Sequence, residues 1–171
     1  MARHRPMTIA ELNACDRRTF VDVLGWIFED SPWVAERAWD RRPFATLDHL
    51  HEAMTTVVGA ATEAERLTLL RAHPDLGTRV RVSPASTGEQ RGAGLDRLSP
   101  AEFARLQQLN DAYRTRFGFP FLFAVTGSTK EDILSALEQR SRSSQDDELA
   151  EALRQVYRIA RFRLEALGPA V

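Results

Sequence analysis

Helix-start signals recur along almost the whole chain and leave little room for other secondary structure. Each is a Ser or Thr whose side-chain oxygen can accept a hydrogen bond from a backbone N–H group of the first helical turn. Three have an acidic residue three positions later, as in a capping box: Thr8 with Glu11, Thr62 with Glu65, and Ser128 with Glu131. Ser31 and Ser99 are each followed by a proline, which suits the first helical position. The sequence therefore predicts helices beginning at these five places.

Apolar residues recur near every 3.6 positions, as the buried face of an amphipathic helix requires. The repeats are Phe20, Val23, Leu24 and Ile27; Leu47, Leu50, Met54 and Val57; and Phe103, Leu106, Leu109, Tyr113 and Phe117. The one strand-like run, residues 117–125, contains a glycine and Pro120, and proline lacks the donor that a central strand needs. We therefore predict an all-α fold, a single compact domain over residues 1–171 with about eight helices and a cleft between helices. Irregular segments are expected at 74–86 and 118–128.

Composition narrows the class of protein. The chain has 171 residues, of which 43% are apolar and 27% charged, enough for one folded core. Lys and Arg number 23 against 24 Asp and Glu, and no basic stripe is present, so no nucleic-acid partner is expected. We find no 18-residue apolar run and no secretory signal at the start, so we expect no membrane partner and a cytoplasmic location. Cys15 is the only cysteine, which excludes a thiolate metal cage, and no metal-binding histidine pattern occurs.

His73 lies where the helix after Thr62 should end, because Pro74 disfavours helical backbone at the residue before it. Two interpretations stay open. The ring is either a helix-end histidine whose positive form is favoured by the last carbonyls, or an acid–base group in a cleft. Position alone favours the first.

A second candidate segment carries a hydroxyl, a carboxylate and an amide within five positions: Ser86, Glu89 and Gln90. Ser86 and Glu89 also have capping-box spacing, so a plain helix start is an equal alternative. The later run 139–148 has the composition of a solvated turn between helices.

Arg163 gives a sharper signal. It follows Val156 by seven positions, nearly two helical turns, and so should lie on the buried side of the last helix. A buried guanidinium requires a carboxylate, several carbonyls or an anionic ligand, and a structural salt bridge is an equal alternative to a ligand. The run FPFLFAV (119–125) is more often a hydrophobic plug than a ligand wall, yet its non-helical backbone leaves polar groups that a planar ligand could bond.

Together these stretches resemble the 2-oxo-4-hydroxy-4-carboxy-5-ureidoimidazoline (OHCU) decarboxylase family, from about residue 8 to about residue 167. The similar motifs are FEDSPWVAERAW (28–39), RPF (42–44), RAHPDL (71–76), Ser86-x-x-Glu89-Gln90 followed by AGL, LNDAYRTRFGFPF (109–121), and the FRL of the last helix. The resemblance implies an all-α lyase that needs no cofactor and no metal. Its reaction would convert OHCU to (S)-allantoin and carbon dioxide in urate degradation.

The resemblance also implies roles for individual residues. His73 and Glu89 match the family's catalytic pair. The residues implied to contact the small-molecule substrate are Pro74, Ser86, Gln90, Phe121, Leu122, Phe123, Ala124, Val125 and Arg163. The chain departs from the family at Gly77-Thr78 and in TRVRVSPA, which affects the loop before Ser86 but removes none of these side chains. The family is also compatible with a homodimer.

Two alternatives stay open beside this resemblance. One is a lyase acting on another ureide. The other is a non-catalytic helical module that binds a small anion or a partner protein through the aromatic run at 117–123.

Overall fold

The computed structural model describes residues 6–77 and 83–168, and all regular structure in these ranges is helical. The elements are α1 (Ile9–Ala14), α2 (Arg17–Leu24), α3 (Trp33–Ala38), a short 3-10 helix (Trp39–Arg41), α4 (Leu47–Ala60), α5 (Glu63–Ala72), α6 (Pro84–Gly92), α7 (Pro100–Phe117), α8 (Lys130–Arg140) and α9 (Gln145–Leu167). The predicted all-α fold is confirmed, with nine α-helices in the described ranges where the sequence predicted about eight. None of these helices combines the length and the apolar character needed to cross a membrane.

Three of the five predicted helix starts are confirmed by their caps. The Thr8 hydroxyl accepts from the Glu11 N–H at 3.1 Å, and the Ser99 hydroxyl accepts from the Glu102 N–H at 3.1 Å. In both cases the acidic side chain bonds back to the N–H of the capping residue. Thr62 and Glu65 form the same reciprocal pair at the start of α5.

The other two predicted starts are wrong in detail. α8 is capped by Thr129 with Asp132, one residue after the predicted Ser128. α3 begins at Trp33 without a side-chain cap, because the Ser31 hydroxyl donates to the Glu29 carbonyl at 2.8 Å instead. Both helices lie close to their expected places, so the error concerns which hydroxyl bonds the first turn.

The described residues divide into two compact units, and the predicted single domain stays a prediction. Unit 1 comprises residues up to 69 and from 160 onward. Its core contains side chains less than 2% exposed: Leu12, Phe20, Leu24, Ile27, Phe28, Val34, Leu50 and Met54. Asn13 fixes the loop before α4, because its amide donates to the Phe44 carbonyl at 2.7 Å and accepts from the Phe44 N–H at 2.8 Å.

Unit 2 comprises residues 70–159 and has an aromatic core. Tyr113 and Phe117 extend from α7, and their ring centroids lie 4.6 Å apart. Phe121, from the irregular segment after α7, meets the Tyr113 ring edge-on at 5.4 Å. This segment, residues 118–128, contains no helix and no strand, as the sequence predicted. Of the other predicted irregular segment, 74–86, residues 78–82 lie outside the described residues, and its last part is wrong because α6 already begins at Pro84.

Candidate active site

His73 follows the last residue of α5 and is 5% exposed. Its backbone N–H donates to the Leu70 carbonyl at 3.3 Å, the last bond of the helix before Pro74. The predicted helix end is therefore confirmed. An imidazole this far removed from solvent exchanges protons only with groups that come into contact with it, and its role as an acid–base group stays a prediction.

α6 presents two polar side chains to the interior of unit 2. Ser86 and Gln90 are four positions apart, hence on one face of the helix, and are 5% and 8% exposed. Glu89, next to them, is half-buried. The Gln90 carbonyl oxygen accepts from the Gly77 N–H at 2.9 Å and so connects α6 to the turn that follows His73.

The capping-box interpretation of Ser86 and Glu89 is wrong. The cap of α6 is Ser83, whose hydroxyl accepts from the Ser86 N–H at 3.2 Å. Pro84 lies in the first helical turn, where a backbone N–H has no intrahelical partner and a proline is therefore tolerated. This explains why the helix begins after Ser83. The Ser86 hydroxyl is thus not used to begin the helix.

The segment 121–125 is buried except at Phe123, which is half-buried. Side chains from unit 2 bond two of its peptide groups. Arg140 donates to the Leu122 carbonyl at 2.6 Å, and the Ala124 N–H donates to the Gln155 side-chain oxygen at 2.9 Å. The backbone polar groups expected from the sequence are therefore partly satisfied by the protein itself.

Glu148, the group that holds Arg140, is not among the residues predicted from the sequence to be functional. Glu148 is 1% exposed and accepts both from the Arg140 guanidinium, with Nε at 2.7 Å, and from the Tyr113 hydroxyl. Burial, and then the hydrogen bond to Glu148, raise the pKa of the Tyr113 phenol well above its usual value, so the phenol stays a proton donor. The expectation of a solvated run at 139–148 is wrong for Arg140 and Glu148, which form an ion pair with side chains only 12% and 1% exposed.

Arg163, in unit 1, is 3% exposed, which confirms that it faces the interior. Its guanidinium pairs with Glu29 at 2.8 Å and donates to the carbonyls of Trp26 and Ile27 at 3.3 Å. The salt-bridge alternative is therefore present in the structure. The role of Arg163 as a substrate ligand stays a prediction.

The described chain is all-α, and one of its units withdraws an imidazole, a hydroxyl and an amide from solvent, an arrangement compatible with a helical enzyme. Comparisons with known proteins make this class specific. A family model described as OHCU decarboxylase matches residues 13–165. The chain is 46% identical to 2-oxo-4-hydroxy-4-carboxy-5-ureidoimidazoline decarboxylase of Halalkalicoccus jeotgali over 94% of this chain and 92% of that protein. It belongs to the OHCU decarboxylase family and is a decarboxylase.

Two further similarities agree. The uric acid degradation bifunctional protein PucL of Bacillus subtilis is 47% identical over 92% of this chain, which spans 32% of that longer protein. Among solved structures, a crystal structure of (S)-allantoin synthase superposes with a TM-score of 0.79 at 33% identity, covering 95% of this chain and 54% of the other.

Proposed function

We propose that this protein converts OHCU to (S)-allantoin and carbon dioxide, with His73 as the acid–base group and Glu89 assisting it. The observation that carries the proposal is the match to OHCU decarboxylases over nearly the whole chain. The buried His73 imidazole and the buried Ser86 and Gln90 of α6 support it, because all three belong to unit 2 and Gln90 bonds the turn that follows His73.

The name of the substrate defines the chemistry. One ring carbon, C4, carries both the hydroxyl and the carboxylate, and the neighbouring C5 carries the ureido group and belongs to the ring C=N bond. When the C4–carboxylate bond breaks, its electron pair forms a C4=C5 bond and the C=N electrons move onto nitrogen. The substrate thus contains its own electron sink, so we propose that no cofactor takes part.

Three proton movements complete the reaction. The ring nitrogen that received the C=N electrons takes up a proton. The hydroxyl on C4 loses its proton as the carbonyl of allantoin forms, and C5 gains a proton on one face, which sets the handedness of the product. Imidazole is the side chain that most readily gives and takes protons near neutral pH. We assign the movements at the hydroxyl and at C5 to His73.

The deciding experiment replaces His73 with Asn. We expect the loss of at least about a hundredfold in kcat, a typical contribution of general acid–base catalysis. The assay follows the circular dichroism of freshly made OHCU, which reports both the rate and the handedness of the allantoin formed. Far-ultraviolet dichroism and the urea midpoint check that the variant folds. Full activity in a folded His73→Asn protein would remove His73 from the mechanism.

Glu89 is assigned to orient His73 or the substrate hydroxyl, and its charge near the substrate carboxylate favours loss of carbon dioxide. Glu89→Gln preserves the shape and removes the charge, and we expect kcat to fall by about tenfold or more. The matched control is Glu138→Gln, an exposed carboxylate of unit 2 that pairs with Arg105. Equal rates for Glu89→Gln and wild type would show that the charge plays no part.

The remaining contacts to substrate are assigned to Pro74, Ser86, Gln90, the segment Phe121, Leu122, Phe123, Ala124 and Val125, and Arg163. Within this segment the protein already bonds the Leu122 carbonyl, the Ala124 N–H and the Val125 carbonyl. We assign the backbone N–H and C=O of Phe123, the residue between Leu122 and Ala124, to the ring amides of the substrate.

We also propose a cytoplasmic location and a homodimer, as the sequence and the family resemblance predict. Sedimentation equilibrium of the purified chain tests the dimer, and a single species with the mass of one chain, 19.3 kDa, would contradict it.

A further inference from the structure

Three residues on one stripe of α7 contact three successive residues of the turn after His73. Arg114 pairs with Asp75 at 2.7 Å, and the Asn110 amide donates to the Leu76 carbonyl at 2.9 Å. The Gly77 backbone lies so close to Leu106 that a Cβ there would be 2.5 Å from Leu106 Cδ2. The α7 residues are spaced by four positions, so the stripe turns through only about 80° of the helix. Each of the three turn residues therefore has its own contact residue on α7, and the two segments run in opposite directions.

Few torsions of this turn remain adjustable. The ring of Pro74 fixes its own φ, and it restricts His73 to extended backbone. The backbone of Leu76 is held through its carbonyl by Asn110, and that of Gly77 by close packing against Leu106 and by its N–H bond to Gln90, while Asp75 is held through its carboxylate. The backbone position of His73 is thus tied to how α7 holds residues 75–77.

Asn110 is the unusual member of the stripe. It is 3% exposed, and while its NH₂ group bonds the Leu76 carbonyl, its side-chain oxygen is buried with no hydrogen-bond partner among the residues that the structure describes. A buried acceptor without a partner lowers the stability of the fold. If Asn110 served only to fill space, an apolar residue of similar shape would make the protein more stable. We attribute the presence of a polar side chain at this position to the hydrogen bond from its NH₂ group to the Leu76 carbonyl.

We propose that Asn110 is a positioning residue for the reaction: by fixing the Leu76 carbonyl it sets the orientation of His73, with Arg114 on Asp75 as its outer support. This inference rests on the proposed role of His73. It assigns Asn110 no contact with substrate. Its effect should therefore fall on turnover and not on substrate binding.

The test is Asn110→Leu, which preserves side-chain size, removes the bond to Leu76 and removes the buried acceptor. We expect kcat to fall by about tenfold or more, since small misplacements of a catalytic group have effects of this size, while KM stays within about twofold. The control is Asn13→Leu, because Asn13 also bonds a loop backbone through its amide but does so in unit 1. That variant should lose stability and retain kcat.

A second readout separates positioning from stability. The chain has four histidines, so the Cε1 signal of His73 in the ¹H–¹³C NMR spectrum can be assigned with His73→Asn. In Asn110→Leu this signal should shift in the free protein, although the urea midpoint falls no further than in Asn13→Leu. A kcat that falls only in step with the urea midpoint, with the His73 signal unmoved, would overturn the proposal.

Should Asn110→Leu fail to fold, Arg114→Met decides the matter, because this pair lies at the surface with Arg114 half exposed. We expect a shifted His73 signal and a kcat reduced by about threefold, whereas wild-type values of both would overturn the proposal. Failure of the proposed function is seen separately, as wild-type protein that does not decarboxylate OHCU or as full activity in His73→Asn. The NMR comparison still tests the coupling between Asn110 and His73 in that case.

Discussion

The pair of Arg163 and Glu29 takes two opposite charges out of water, with both side chains 3% exposed. Each charge is tolerated because the other is present, and two backbone carbonyls complete the shell of the guanidinium. Removing one partner leaves the other buried and uncompensated, which typically costs about 3–5 kcal/mol.

We therefore expect Glu29→Gln and Arg163→Gln each to lower the free energy of unfolding by about 3–5 kcal/mol. The double variant should lose clearly less than the sum, because the second substitution removes a charge that is already unpaired. Urea unfolding of the four proteins measures this cycle, and strict additivity would contradict it. Steady-state kinetics on the same set tests the ligand role of Arg163: a KM raised in Arg163→Gln beyond that in Glu29→Gln supports it, whereas equal KM values would contradict it.

The sequence predicted the orientation of Arg163 but not its partner. A seven-residue spacing from Val156 is a local property of one helix, and it is sufficient to place a side chain on the buried face. Glu29 lies in an irregular stretch between α2 and α3, where no periodicity indicates which side chains are buried. The burial of Arg163 was therefore predictable from the sequence, whereas the identity of its partner, Glu29, depended on the tertiary fold.

Helix caps were likewise predictable only where the local sequence offers a single candidate. Thr8, Thr62 and Ser99 have no competing hydroxyl with an acidic residue three positions later, and all three caps were predicted. At α8, Ser128 and Thr129 are adjacent and each has an acidic residue at the third position, so the local signal is the same for both. The hydroxyl that forms the cap is that of Thr129, and Ile133 and Leu137 of the helix it begins are buried.

This choice can be tested with adjacent substitutions. Thr129→Ala removes the hydroxyl that accepts from the Asp132 N–H at 3.2 Å, and should cost about 1 kcal/mol in the free energy of unfolding. Ser128→Ala is the matched control, because the bond that Ser128 makes to Val125 comes from its backbone N–H and survives the substitution. Urea unfolding at neutral pH measures both. A larger loss for Ser128→Ala would show that the helix begins one residue earlier.

Across the whole molecule, the sequence predicted the helical class, the helix end at His73 and the inward direction of Arg163 better than it predicted buried polar contacts. Ser86 and Gln90 were singled out because several chemical groups are concentrated in one short segment, and their roles stay predictions. The buried pair of Arg140 with Glu148 was missed, because a charged run at a helix start is normally solvated. What buries Glu148 is the Tyr113 hydroxyl and the Arg140 guanidinium, which come from distant parts of the chain.

The stability of the whole molecule should depend on acidic pH through its hydrogen-bonded carboxylates. The clearest is Glu65: hydrogen bonds from the Arg37 guanidinium at 2.5 Å and from the Thr62 N–H at 2.9 Å lower its pKa from 4.5 to about 2. Folded-state pKa values are also lowered for Glu102, by its hydrogen bond with Lys130, and for Asp132, by the Thr129 N–H. Between pH 4.5 and about 2 the unfolded chain thus binds protons that the folded chain does not.

Because the folded-state pKa values are the lower ones, this stabilisation is present above the unfolded-state pKa and is lost as pH falls through the folded-state value. We expect the urea midpoint to decrease from about pH 5 to about pH 2. Glu65→Gln should have a lower midpoint than wild type at pH 7, and the difference should shrink over this range as the Glu65 carboxylate of wild type becomes protonated. A difference between the two proteins that stays constant down to pH 2 would mean that the Glu65 charge contributes nothing to stability, and that only the shape of its side chain matters to the start of α5.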